Sequence, residues 1–105
     1  MSLDTEVKDL PDARRYELHV DGHVAYVEYN NVAGGRLISK TVVPEALEGR
    51  GIGSRLAKHV LADLRDKDLK ILPTCTFFAS YIKKHRETYG DLVHDGYRAV
   101  LGLAS

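Results

Sequence analysis

The sequence predicts an α+β (mixed α/β) domain, a sheet covered by helices, in the order strand, strand, strand, glycine loop, helix, strand, helix. Three observations predict it. Apolar and polar side chains alternate in runs between residues 15 and 43, and turn-forming residues separate those runs. Glycines stand at alternate positions 49, 51 and 53. Beyond them the apolar spacing changes from every second residue to every third and fourth.

The 105 residues suit one domain with one modest core. Residues 1–14 are polar and carry Pro11, so they read as a flexible leader, with the single domain over residues 15–105. Arg15-Tyr16-Glu17-Leu18-His19-Val20 alternates as a half-buried strand does, and Asp21-Gly22 is a tight-turn dipeptide. His23-Val24-Ala25-Tyr26-Val27-Glu28-Tyr29 resumes the strand pattern, with Val24, Tyr26 and Glu28 expected on one face. Residues 30–35 hold two asparagines and two glycines and read as a second turn. A third strand is expected over residues 36–43, ended by Pro44. Short turns make these three an antiparallel meander.

Ile52, Leu56, Ala57, Val60, Leu61 and Leu64 share one helical face, opposite Arg55, Lys58, Arg65 and Asp66. This helix is expected to end near Lys67. Leu69-Lys70-Ile71-Leu72, stopped by Pro73, reads as a buried strand returning to the sheet. Phe77, Phe78, Tyr81, Ile82 and His85 share a second helical face, with Thr74 or Thr76 as N-cap. The apolar residues 99–104 are expected to pack on the body or on a partner.

Fifteen basic and fifteen acidic side chains cancel. That balance argues against non-specific nucleic-acid binding or a polybasic membrane contact. No apolar run approaches the roughly 20 residues of a membrane span. The polar, acidic start is unlike a signal peptide. One cysteine forms no intramolecular disulfide and fits a reducing compartment, so a cytoplasmic setting is expected. The five histidines are scattered without metal-ligand spacing, so no metal is assigned.

The glycine loop carries the chemistry. A helix start leaves backbone N–H groups without intrahelical partners, and the helix dipole favours an anion there. Glycine lets phosphate oxygens approach that backbone. The segment therefore reads as a pyrophosphate cradle formed by Gly49, Arg50, Gly51, Ile52, Gly53, Ser54 and Arg55. It is not a Walker loop, because Gly51-Ile52-Gly53 replaces Gly-Lys-Ser/Thr. It matches the dinucleotide fingerprint only in part, and five residues, 44–48, separate it from the strand.

Glu48-Gly49-Arg50-Gly51-Ile52-Gly53 resembles the acyl-coenzyme A loop of the GNAT superfamily of N-acetyltransferases, with Glu48 where the family carries Arg or Gln. Val43-Pro44 before it, and Leu72-Pro73-Thr74-Cys75 with an aromatic helix after it, resemble the small single-domain GNAT-like subfamily. The resemblance covers residues 16–93. It implies acetyl-coenzyme A as cofactor and a backbone N–H of Val42 or Val43 that polarises the thioester carbonyl. Many relatives have an acid at Val42 and a histidine at Lys40, so no general base is assigned on this strand.

Cys75 stands just before or at a helix N-terminus, where the dipole favours thiolate. With the resemblance it is read as a nucleophile or as a residue lining the cofactor; a buried free cysteine is the plainer reading. Tyr81 matches the helix whose tyrosine often protonates the leaving thiolate in GNAT enzymes, yet it also belongs to the apolar stripe, and the core is favoured. Lys83, Lys84 and Arg86 read as a solvated face.

The resemblance implies acetyl transfer from acetyl-coenzyme A to the primary amine of an unidentified small molecule or protein. The alternative is a module that binds acetyl-coenzyme A without turnover, favoured by the few residues left to build an acceptor site. A third possibility is an interaction protein whose loop holds no nucleotide. The protein is expected to be a monomer or a weak homodimer.

Overall fold

A computed structural model describes residues 6–103. Five strands form one sheet in sequential order: β1 (Lys8–Leu10), β2 (Arg15–Val20), β3 (His23–Val32), β4 (Gly35–Val42) and β5 (Lys70–Pro73). The first three pairings are antiparallel, whereas β4 and β5 run parallel. That parallel pair needs a crossover, which α1 (Ile52–Asp66) supplies. After β5 come α2 (Thr76–Lys84) and two single-turn helices, α3 (Arg86–Tyr89) and α4 (Asp95–Arg98).

The meander forms as its turns and alternation dictate, with two differences. Residues 8–10, read as part of a flexible leader, form the edge strand β1, and Val7 is buried. The stretch that anchors them is polar: Tyr29 Oη donates to Asp9 at 2.6 Å. Residues 1–5 lie outside the described residues. The second turn is shorter than residues 30–35, because β3 continues to Val32 and β4 begins at Gly35. Val24, Tyr26 and Glu28 share one face of β3 as expected and are half-buried there, while the buried face carries Ala25, Val27 and Tyr29. Alternation alone fixes that these two sets oppose each other, not which one meets the helix.

The core lies between the sheet and α1. Ile52, Leu56, Ala57, Val60, Leu61 and Leu64 are all buried, against Tyr16, Leu18, Val27, Ile38 and Ile71. Each fully buried aliphatic side chain contributes about 1.5–3 kcal/mol of transfer free energy. Leu101 and Leu103 close the core from the C-terminal side, whereas Val100 is 68% exposed.

One buried polar knot crosses this interface. Arg36 is only 8% exposed and donates through Nη1 to Tyr16 Oη at 2.8 Å and through Nε to Asn31 at 3.0 Å. Tyr16 Oη donates to Asp63 of α1 at 2.7 Å, and Lys67 donates to the same carboxylate at 2.6 Å. The Tyr29 ring lies 4.1 Å under the Arg36 guanidinium. The knot therefore ties β1, β2, β3 and β4 to the C-terminal half of α1. It holds the helix at one end and leaves its glycine-rich start free for other work.

Candidate functional site: a glycine loop beside an opened sheet

The site begins with a break in strand pairing. Glu28 of β3 faces Lys40, but the next residue, Tyr29, faces Ile38, so Ser39 is the extra residue of a β-bulge. Ser39 Oγ donates to the Glu28 carbonyl at 3.2 Å and holds the bulge. A bulge bends the strand that carries it. β4 pairs with β5 only from Gly35 to Ile38, and beyond that point no strand among the described residues covers its β5 side. The gap is bounded across from β4 by the start of α2. There Cys75 N donates to the Ile38 carbonyl at 3.1 Å, and Thr74 Oγ1 donates to the same oxygen at 2.9 Å.

Register decides which side chains face which way. Val27 pairs with Thr41, so Thr41 shares the helix-covered face. Glu28 pairs with Lys40 and Tyr26 with Val42, which puts those four on the opposite face, away from α1. Cys75, half-buried, donates its S–H to Thr41 Oγ1 at 3.3 Å. It occupies the N-cap position of α2 in extended conformation, in place of the expected Thr74 or Thr76 cap, and its side chain accepts no capping bond.

The loop between β4 and α1 is shaped by one buried anchor and two left-handed glycines. Glu45–Leu47 form a 3₁₀ turn whose Leu47 is fully buried. Gly49 (φ +80°) and Gly51 (φ +72°) then adopt a conformation that L-residues disfavour. A Cβ on either would meet nothing within 4 Å, so the space above them is open. Gly51 is the N-cap of α1, and no side chain caps the helix. The first-turn N–H groups of Ile52, Gly53 and Ser54 therefore keep their capacity for an anion. The Ile52 side chain is in the core, so that residue offers only its backbone.

Gly53 marks instead a close approach of α2. A Cβ there would lie 2.9 Å from the Phe77 ring. Phe77, expected within the core face of α2, is instead 36% exposed and lies against the start of α1. It joins the glycine loop to the helix that carries Cys75. Val42 and Val43 are half-buried at the end of β4, between the gap and the loop. Arg50 is exposed and donates to Asp21 of the β2–β3 turn at 2.8 Å. Arg55 and Ser54 are exposed on the first turn of α1.

Tyr81 borders this group through Phe77, whose ring centroid is 6.2 Å from its own. It is 8% exposed, stacks 4.5 Å from the His85 ring, and lies six residues, about 9 Å of helix, beyond Cys75. Burial raises its pKa, with the charge of Tyr89 and a hydrogen bond to it adding to the effect. A hollow of about 980 Å³ lies elsewhere, between Arg65, Arg86, Asp91 and Arg98. Among the described residues no three His, Cys, Asp or Glu side chains gather as metal ligands, and no helix is long and apolar enough to cross a membrane.

Thr41, Ser39 and Phe77 were not singled out for function by the sequence reading. The bulge had a faint signal: three successive polar residues, Ser39-Lys40-Thr41, break the period of two. Nothing local marks Phe77 as facing the loop rather than the core.

The glycine loop at a helix start, beside a sheet opened after β4, coincides with a known family. The model of the GCN5-related N-acetyltransferase family matches residues 15–92. The chain belongs to the GCN5-related N-acetyltransferase family. Within it, Protein NATD1 of Mus musculus is 33% identical over 75 residues, covering 69% of this chain and 68% of that protein. Protein NATD1 of Homo sapiens is equally similar, over 69% of this chain and 66% of its own length. The solution structure of a GCN5-like protein from Staphylococcus aureus superposes with a TM-score of 0.66 at 26% identity, covering 89% of this chain and 91% of that one. These matches give this N-acetyltransferase domain its fold and its general activity class, acetyl transfer.

Proposed function

We propose that the protein binds acetyl-coenzyme A through the start of α1 and transfers the acetyl group to a primary amine. The observation that carries this reading is the open space over Gly49 and Gly51 at an uncapped helix start, next to the unpaired edge of β4. The residues fit such a cofactor. First-turn N–H groups of α1 take the pyrophosphate, and the exposed Phe77 ring gives an apolar wall for the pantetheine arm. When bound, the cofactor supplies an acetyl group activated as a thioester.

The protein's own contribution is placement and charge. Of the two candidate N–H groups, that of Val42 turns toward Tyr26 of β3, which leaves that of Val43, just past the end of β4, to donate to a carbonyl oxygen on which charge develops. Cys75 holds its proton toward Thr41, at the mouth of the gap. There it can hand that proton to a departing thiolate. Removing a proton donor of this kind slows transfer about a hundredfold or more. The test is amine-dependent thiol release from acetyl-coenzyme A by wild type and Cys75→Ala. A large fall in rate with unchanged cofactor affinity is expected, and an unchanged rate refutes the role given to Cys75.

A further inference from the structure

The tip of the β2–β3 hairpin reaches the glycine loop. β2 and β3 pair as far as Val20 and His23, yet β3 meets β4 only from Tyr26, which faces Val42. Residues 23–25 therefore carry the hairpin past the end of β4, by about 10 Å at the rise of a strand. The chain leaves β4 at that same end and enters the loop. Asp21 stands at the tip with φ +50°. Its Oδ2 accepts from Nη1 of Arg50 at 2.8 Å, a contact between segments 29 residues apart. Neither side chain has another hydrogen-bond or ion-pair partner among the described residues.

This contact is built to be exchanged. The two side chains are 46% and 68% exposed, and a pair so open to water shifts an equilibrium by no more than about fivefold. The backbone around Arg50 is unobstructed. Leu47 and Ile52 are fixed in the core, but between them a Cβ on Gly49 or Gly51 would meet nothing within 4 Å. Arg50 is also the one cation between Pro44 and Gly51, where Glu45 and Glu48 are the other charges. With the guanidinium turned to the hairpin, the loop presents two carboxylates to an arriving anion. A guanidinium gains more from phosphate than from this carboxylate, which it meets through a single bond, because phosphate accepts two parallel bonds.

We propose that Arg50 changes partner when a phosphate-bearing ligand enters the glycine loop, and that Asp21 competes with the ligand for it. The inference rests on the acetyl-coenzyme A reading above and adds a positioning residue to that site. Asp21 touches no ligand and acts only through Arg50. It lowers the affinity of the loop for anions and favours ligands with adjoining phosphates, which outbid a carboxylate, over singly charged ones. A residue of purely structural value has the opposite signature, since its removal never improves binding.

A double-mutant cycle read by calorimetric titration of coenzyme A at low ionic strength tests the exchange. Asn and Gly both accept the left-handed conformation of position 21 before Gly22, so Asp21→Asn and Asp21→Gly keep the turn. Each is expected to tighten coenzyme A about two- to fivefold. Arg50→Gln is expected to weaken it about tenfold. In the Arg50→Gln background, Asp21→Asn is expected to change nothing. Unchanged or weaker binding by both Asp21 variants overturns the inference. Equal tightening with and without Arg50 also overturns it, because the effect is then plain relief of repulsion. Either result leaves the acetyl-coenzyme A reading standing, whereas folded wild type that binds no coenzyme A refutes that reading and this inference with it.

Discussion

Gly51→Ala tests whether the loop is held by backbone conformation rather than by packing. Gly51 is the N-cap of α1 at φ +72°, and a Cβ there would touch nothing within 4 Å. No clash enters the balance. Placing an L-residue in the left-handed region costs about 1–2 kcal/mol. Restricting the unfolded chain returns about 0.4–1 kcal/mol. Alanine is also a poorer N-cap than glycine. The net expectation is a loss of about 1 kcal/mol, or about 4–8 °C in Tm for a domain of this size. Gly53→Ala serves as the contrast. Gly53 lies within α1, where alanine gains about 1 kcal/mol of helix propensity, and its clash is with a ring that is partly exposed and can turn. That variant is expected to stay near wild type. Urea unfolding with a two-state fit reads both differences. A Gly51→Ala protein as stable as wild type, or less affected than Gly53→Ala, would show that the positive φ does not constrain the loop.

Phe77→Ala is expected to cost about 2 kcal/mol, less than a fully buried phenylalanine, and to weaken coenzyme A about tenfold through loss of the apolar wall; unchanged affinity by titration refutes that wall. Tyr16→Phe removes the hydroxyl between Arg36 and Asp63 and is expected to cost about 1.5–3 kcal/mol in urea unfolding, with little effect on cofactor binding. Stability is also expected to fall with rising alkalinity. Burial, together with hydrogen bonds from their hydroxyls to Asp63 and Asp9, raises the pKa of Tyr16 strongly and pushes Tyr29 up to about 12. The folded protein thus keeps these protons after the unfolded chain has lost them near pH 10. The stabilisation they give is complete below about pH 10 and is lost as pH rises through the folded values. Urea midpoints across that range should decline less steeply in Tyr29→Phe, and an identical slope contradicts the assignment.

What could be read from the sequence followed from local rules. Alternation in β2 and β3, the Asp21-Gly22 turn and the apolar face of α1 each have one physical solution, and the structure adopts it. The glycine loop was legible for the same reason, since positions 49 and 51 need φ values that few other residues take. Long-range features were not legible. Arg36 looks like an exposed strand residue until Tyr16, Asp63 and Asn31 converge on it from three segments. β1 forms because Asp9 meets Tyr29 and Lys67, partners far along the chain. The Cys75–Thr41 contact spans 34 residues and depends on the bulge at Ser39, which pairing alone reveals.

The central claim is that the start of α1 is a pyrophosphate site. Calorimetric titration of acetyl-coenzyme A and of free coenzyme A into wild type and Gly51→Glu tests it most directly. The added carboxylate enters open space beside the first-turn N–H groups, so it repels and displaces an anion without entering the core. Saturable binding of both ligands to wild type, abolished in a Gly51→Glu protein that remains folded, is the expected result. Folded wild type that binds neither ligand, or a Gly51→Glu variant that binds both with undiminished affinity, contradicts the account.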